Sequence, residues 1–190
     1  GEVVQGDKLI GALCVYLKKE KMLKNNGCVA TVMSNKALED YLSEYGIELF
    51  RTDVGDKYVL EKMKETGINF GGEQSGHVIF ADAAKTGDGM ATALQVLAMM
   101  IRSGKKASQI LNPFELYPQI LQNVTVSQKL PIEQINGLEE LLNKFRSLGL
   151  RDLIRYSGTE NKLRLLLEGK DKELVKQSMH ELASLIKKEL

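Results

Sequence analysis

The sequence predicts a layered α/β domain with mostly parallel strands, followed by a small α+β domain with an antiparallel sheet. Through the first two thirds, helix-period segments that end at asparagine or glycine alternate with short β-branched runs, the punctuation of successive βα units. NPFELYP (112–118), bounded by Pro113 and Pro118, then breaks both periodicities. After it the order changes to β-α-β-β-α. The expected division is therefore 1–111, a linker at 112–118, and 119–190.

Residues 6–24 read as a helix, with Leu9, Ile10, Leu13 and Leu17 on one face. Lys18, Lys19 and Lys21 lie near its end, where the helix dipole favours cations, and Asn25, Asn26 and Gly27 stop it. CVATVM (28–33) has the apolar, β-branched character of a strand buried in a parallel sheet. Asn35 can cap a helix running to Tyr45, with Gly46 as its left-handed terminator. A strand at Ile47–Arg51, a helix from about Lys57 to Thr66 closed by Gly67, and a strand at 68–70 continue the alternation. TGDG (86–89) reads as the cap of a helix over Asp88–Ser103 that is apolar nearly all round and is expected to be deeply buried. Met90, Met99 and Met100 in it read as core filling. Beyond the linker come a strand at 119–127 and a helix at 133–147 with Leu138, Leu141, Leu142 and Phe145 inward. Two strands around a tight turn follow, and then a last helix striped by Val175, Met179, Leu182, Ile186 and Leu190. His180 lies off that stripe and reads as a surface residue.

Twenty-six basic and 25 acidic side chains nearly cancel, so no general attraction to nucleic acid or an anionic membrane is indicated. Cys14 and Cys28 lack a CxxC or zinc-like spacing and read as core thiols in a reducing compartment. The most apolar run, residues 90–101, is too short to span a bilayer, and no secretory leader is read at Gly1, so a cytoplasmic protein is expected.

Two segments carry chemistry. LIRYSGTENKLRLLLEG (153–169) sets two arginines, two hydroxyls and a glycine around one turn, with Leu163, Leu165 and Leu167 alternating with Arg164, Leu166 and Glu168. Gly158 can take a positive φ and expose its N–H there, Ser157 and Thr159 can donate hydroxyl bonds, and Arg155 can grip oxygens in bidentate fashion. Such a turn fits a phosphate monoester; the alternative is a surface hairpin with two solvated arginines. NFGGEQSGHVIF (69–80) follows a strand, so Glu73 falls at a strand's carboxyl end, where open α/β sheets bind ligands. Glu73, Ser75 and His77 offer acceptors and donors that suit a polyhydroxylated ligand better than a metal. A glycine-rich turn with a structural glutamate and histidine is the alternative.

Arg155, Ser157, Gly158, Thr159 and Glu160, with Arg164 beyond, resemble the phosphate-binding loop in the last domain of the α-D-phosphohexomutases. The one departure is Asn161, where that family commonly carries proline. GEQSGH resembles the same family's sugar-binding loop, with Glu73, Ser75 and His77 at the positions that contact sugar hydroxyls and Gln74 as in the amino-sugar branch. TDVGDKYVLEKM (52–63) resembles a third-domain segment near the substrate; Asp56 and Lys57 are a possible substrate contact there, or a helix N-cap and a solvated first-turn lysine.

The resemblance covers essentially the whole chain as the third and fourth of four domains, so it implies missing first and second domains as partners in the same polypeptide. What it implies of function is recognition of a phosphorylated hexosamine in the interconversion of glucosamine 6-phosphate and glucosamine 1-phosphate. That reaction would run through a phosphoserine and a bisphosphorylated glucosamine, with Mg2+ held by the second domain, and would feed UDP-N-acetylglucosamine and cell-wall synthesis. Neither the serine loop nor the aspartate-rich metal loop is in this sequence. A phosphoglucomutase or phosphomannomutase of the same family, or a non-catalytic phospho-ligand module, stays open, as does the oligomeric state.

Overall fold

Asn35, Asp88 and Asp171 each stand one residue ahead of a helix, and in the computed structural model, which describes Gly1 and residues 3–190, each accepts a hydrogen bond from a first-turn amide. Such caps stabilise a helix by about 0.5–2 kcal/mol relative to alanine. The chain divides into two compact units, Gly1–Leu116 and Tyr117–Leu190.

The first unit runs α1 (Gly6–Lys19), β1 (Gly27–Thr31), α2 (Lys36–Glu44), β2 (Glu48–Thr52), α3 (Asp56–Thr66), β3 (Phe70–Gly72), β4 (Val78–Phe80), α4 (Gly89–Ser103) and α5 (Ala107–Ile110). Its sheet has the order β2-β1-β3-β4, with β1 parallel to both β2 and β3, and β4 antiparallel to β3. All five residues of β1 are buried, as a central parallel strand requires. Cys28 and Ala30 face the cluster built on Ile10, Leu13 and Leu17 of α1, while Val29 faces Val59 and Met63 of α3. Helices therefore cover both faces. Cys14 and Cys28 are free, buried thiols.

Several expectations are corrected. α1 stops at Lys19, five residues early, because Lys21 turns left-handed (φ 61°) and the amides of Met22 and Leu23 both close onto the Leu17 carbonyl. β3 begins at Phe70, two residues late, because the Asn69 side chain is taken up by the Lys24 amide, the Met22 carbonyl and Asp82. α4 is not deeply buried: Thr92 and Met99 are its buried residues, and Met90 is 72% exposed rather than core filling. β4 and α5 have no counterpart in the sequence reading.

The second unit runs β5 (Gln119–Thr125), a 3-10 turn (Ile132–Gln134), α6 (Leu138–Ser147), β6 (Arg151–Tyr156), β7 (Lys162–Glu168) and α7 (Lys172–Glu189). The order β5-β7-β6 is antiparallel throughout. Leu163, Leu165 and Leu167 pack with Leu138, Leu142 and Phe145 of α6 and with Val175, Met179, Leu182 and Ile186 of α7. The helix expected from 133 starts at Leu138 instead, because Gly137 ahead of it is left-handed (φ 74°). His180 is exposed, off the stripe.

At one end of this sheet, Glu168 is fully buried, and its carboxylate pairs with Arg151 Nη1 at 2.6 Å and accepts from Gln119 Nε2 at 2.9 Å. The three residues face one another across β6, β7 and β5. Removing one member of a buried ion pair strands the other charge, so Arg151→Ala should destabilise the second unit by about 3–5 kcal/mol. Urea unfolding followed by a second-unit probe would measure it, and replacing Arg151 and Glu168 together with apolar residues should recover much of the loss.

Candidate functional site

The turn between β3 and β4 holds Glu73, Ser75 and His77. Its closure is local: the Glu73 amide donates to the His77 carbonyl at 2.8 Å, and the Gly76 amide to the Glu73 carbonyl at 2.9 Å. The turn is also seated from below. A Cβ at Gly6, the first residue of α1, would lie 2.2 Å from the Gln74 carbonyl oxygen, so only glycine lets α1 begin against this turn.

Glu73 Oε1 accepts from the Gly55 amide at 2.9 Å, which ties the turn to the start of α3. Gly55 is the N-cap of that helix, at φ 134° and ψ 134°, a conformation that favours glycine. Asp56 is thus the first helical residue, and the plain N-cap reading of it is replaced. One ligand atom each from Asp56, Glu73 and His77 lies within 4.8 Å of the others. Ser75 Oγ is 3.2 Å and Glu73 Oε2 3.7 Å from His77 Nδ1. Lys57 points elsewhere: it is exposed and sits 3.8 Å from Glu61 one turn on. Glu73 is 9% exposed, and its carboxyl titrates above the usual range. Burial is the main cause, followed by its hydrogen bond with Asp56 and that residue's charge; the Gly55 amide and His77 act in the opposite direction.

The second turn joins β6 to β7. The Ser157 amide donates to the Lys162 carbonyl at 2.9 Å, and the Glu160 amide to Ser157 Oγ at 3.3 Å. Ser157 is buried, so its hydroxyl shapes the turn, while Gly158 and Thr159 are exposed. Gly158 is not among the residues with positive φ, contrary to expectation, and a Cβ there would meet nothing within 4 Å, so the position opens onto free space. Arg155 and Arg164 are direct cross-strand partners beside the turn. The two guanidinium groups thus stand on neighbouring strands at one register position, next to the turn. Glu160 is paired with Lys162 at 2.6 Å, and that bond, with Arg164 also contributing, holds its carboxyl below the usual range.

Sequence reasoning missed two participants. Gly55 gives no side-chain signal, and Lys129, whose Nζ donates to the Ser157 carbonyl at 3.0 Å and lies over the Tyr156 ring, comes from 28 residues upstream. The Asp56–Glu73–His77 group is the set of side chains among the described residues close enough to hold a metal. With one Glu73 oxygen taken by the Gly55 amide and an imidazole nitrogen among its three ligand atoms, it does not fit the near-octahedral oxygen shell of Mg2+.

Residues 5–117 match the family described as phosphoglucomutase/phosphomannomutase, alpha/beta/alpha domain III, and residues 81–185 match the phosphoglucomutase/phosphomannomutase C-terminal domain. The phosphoglucosamine mutase of Aliarcobacter butzleri is 70% identical over all 190 residues, and that of Nitratiruptor is 60% identical over the same span. In both cases the chain spans 43% of the length of the relative. Among solved structures, an Aspergillus fumigatus N-acetylphosphoglucosamine mutase in complex with GlcNAc-6P and magnesium superimposes with a TM-score of 0.78 at 18% identity, over 97% of this chain and 47% of that one. A phosphoglucomutase/phosphomannomutase family protein from Burkholderia thailandensis gives 0.72 at 19% identity, over 99% and 42%. These likenesses bear on the fold.

Because burial and Asp56 raise the Glu73 carboxyl, the stability its neutral form contributes is present at acid pH and is lost as pH rises through its folded-state pKa. Asp56→Asn removes the like charge and should lower that pKa toward the ordinary glutamate range. Carboxyl-carbon NMR titration of both proteins measures the difference, and an unchanged Glu73 midpoint would show that Asp56 has no hold on it.

Proposed function

The chain belongs to the phosphoglucomutase/phosphomannomutase family, and on that premise we propose that it is the substrate-recognition half of an enzyme interconverting glucosamine 6-phosphate and glucosamine 1-phosphate. The observation that carries the reading is the Arg155–Arg164 pair standing opposite each other beside the exposed Gly158–Thr159 turn. Arg155 presents a planar fork of donors, Arg164 adds charge, and the open face at Gly158 lets phosphate oxygens come close to the backbone. That set would hold whichever phosphate is not being transferred.

The Glu73–His77 turn would take the sugar. Glu73, anchored through one oxygen by Gly55, accepts from a ring hydroxyl with the other, while Ser75 and His77, already in contact, can each donate or accept. The chemistry asked of these residues is positioning: oriented donors and acceptors convert a loosely bound hexose phosphate into one with a fixed reacting oxygen. The choice of an amino sugar rests on the relatives that match the whole chain, which are named phosphoglucosamine mutases. The phosphoryl-carrying serine and the Mg2+ that such an enzyme needs are assigned to the part of the parent polypeptide outside these residues.

The test is the parent polypeptide assayed for conversion of glucosamine 6-phosphate, with glucose and mannose phosphates in parallel. Arg155→Ala should raise KM about tenfold or more, since a charge-assisted hydrogen bond contributes roughly 1.5–3 kcal/mol. An unchanged KM would remove the turn from the site, and preference for glucose or mannose phosphate would reassign the sugar. The 190-residue chain alone should show no turnover, because orientation without the nucleophile cannot carry phosphoryl transfer.

A further inference from the structure

We infer that the outward face of α4 is a docking surface for the upstream domains of a longer polypeptide to which this chain belongs. Met90, Leu94, Leu97 and Ile101 recur at steps of four, three and four residues along one face of the helix, and they are 72, 59, 50 and 81% exposed. The inward side is already used: Thr92 and Met99 are buried, and Val96 packs on the core of α1. Exposed apolar side chains scattered singly need no explanation, but a continuous stripe on a helix marks an interaction surface. Nor is the stripe guarded by charge. Arg102 is the one charged residue of α4, and it is tied to Glu20 and to the Tyr16 hydroxyl.

Two observations choose the occupant. The stripe is too small to hold a second copy. Four side chains at these exposures offer on the order of 400–500 Å2 of apolar surface at about 25 cal/mol per Å2, against the roughly 800 Å2 per partner of a stable complex. A surface of that size suffices when its partner is tethered, because a linked segment is held at about millimolar effective concentration. Such a segment exists in the relatives: the chain matches 43% of their length, and the two profiles it matches are those of domain III and the C-terminal domain, which leaves the remainder upstream. The solved neighbours likewise carry more than half of one polypeptide beyond the part superimposed, at 47 and 42% coverage.

Cysteine reactivity tests this directly, since Cys14 and Cys28 are both 0% exposed and a thiol placed on the stripe reports alone. Leu94→Cys and Ile101→Cys are made in the 190-residue chain and in the longer polypeptide, with Lys188→Cys as the exposed control. Both stripe thiols should react with a maleimide at the control rate in the short chain and about tenfold or more slowly in the long one, where reaction requires local opening. Equal rates in the two lengths would overturn the inference. Slow labelling in the short chain that deepens with concentration would also overturn it, by assigning the face to a second copy. As an independent measure, Leu97→Glu should lower the unfolding midpoint of the longer polypeptide and leave that of the short chain unmoved; an equal shift in both would likewise refute it.

Discussion

The first unit is organised by one constraint: β1 is buried on both faces and must find parallel partners on both edges. A parallel neighbour can be reached only by a crossover, so α2 and α3 return the chain and the carboxyl ends of β2 and β3 emerge on the same side. The connection from β2 to α3 and the turn from β3 to β4 are thereby brought together, although 18 residues separate Gly55 from Glu73. The Gly55 amide then finds the Glu73 carboxylate, and Asp56, the next residue, is carried in beside it. Nothing in either segment alone would assemble this group.

The second unit solves a different electrostatic problem on a single ladder. At one end of the β6–β7 pair, Arg151 faces a fully buried Glu168 and opposite charges compensate each other out of water. At the other end, Arg155 faces Arg164 across the same ladder. Placing like charges opposite each other costs stability, and the fold keeps them apart from bulk water only partly, since both are half-buried. Like charges meeting next to an exposed turn, on a strand pair otherwise well satisfied, are the kind of local departure on which the proposed phosphate-binding reading draws.

What the sequence made legible was whatever is encoded within a few residues. Caps at Asn35, Asp88 and Asp171 and the glycine stops at Gly46 and Gly67 are local chemistry, and the structure has them. The two turns were legible as clusters of donors and acceptors for the same reason. What depended on distant partners was not. Asp56 could be read as a cap because its partner Glu73 lies across the sheet, and Lys129 carried no mark because its acceptor is the Ser157 carbonyl. Gly158 was assigned a left-handed backbone, whereas its φ is not positive and the position opens onto free space. α4 failed in another way: an apolar helix surface does not say whether its own domain or something else covers it, and here the domain covers one side.

The two turns therefore depend on their surroundings to different degrees. The Ser157–Thr159 turn is closed by Ser157, Glu160 and Lys162 and flanked by Arg155 and Arg164 on one hairpin, with Lys129 adding a donor from outside it, so its geometry depends chiefly on β6 and β7 staying paired. The Glu73–His77 turn borrows a donor from the start of α3, a neighbour carboxylate from the same helix and its seat from the first residue of α1. On the proposed reading, small displacements of α1 or α3 would move acceptors meant for particular sugar hydroxyls, whereas a phosphate, being nearly symmetric, would tolerate rotation within a cationic turn. That reading would have precision supplied where the ligand is stereochemically demanding, by tertiary structure, and charge supplied where it is not, chiefly by a local hairpin. Loss of tertiary packing in the first unit should for that reason blur discrimination between hexoses well before it weakens the grip on phosphate.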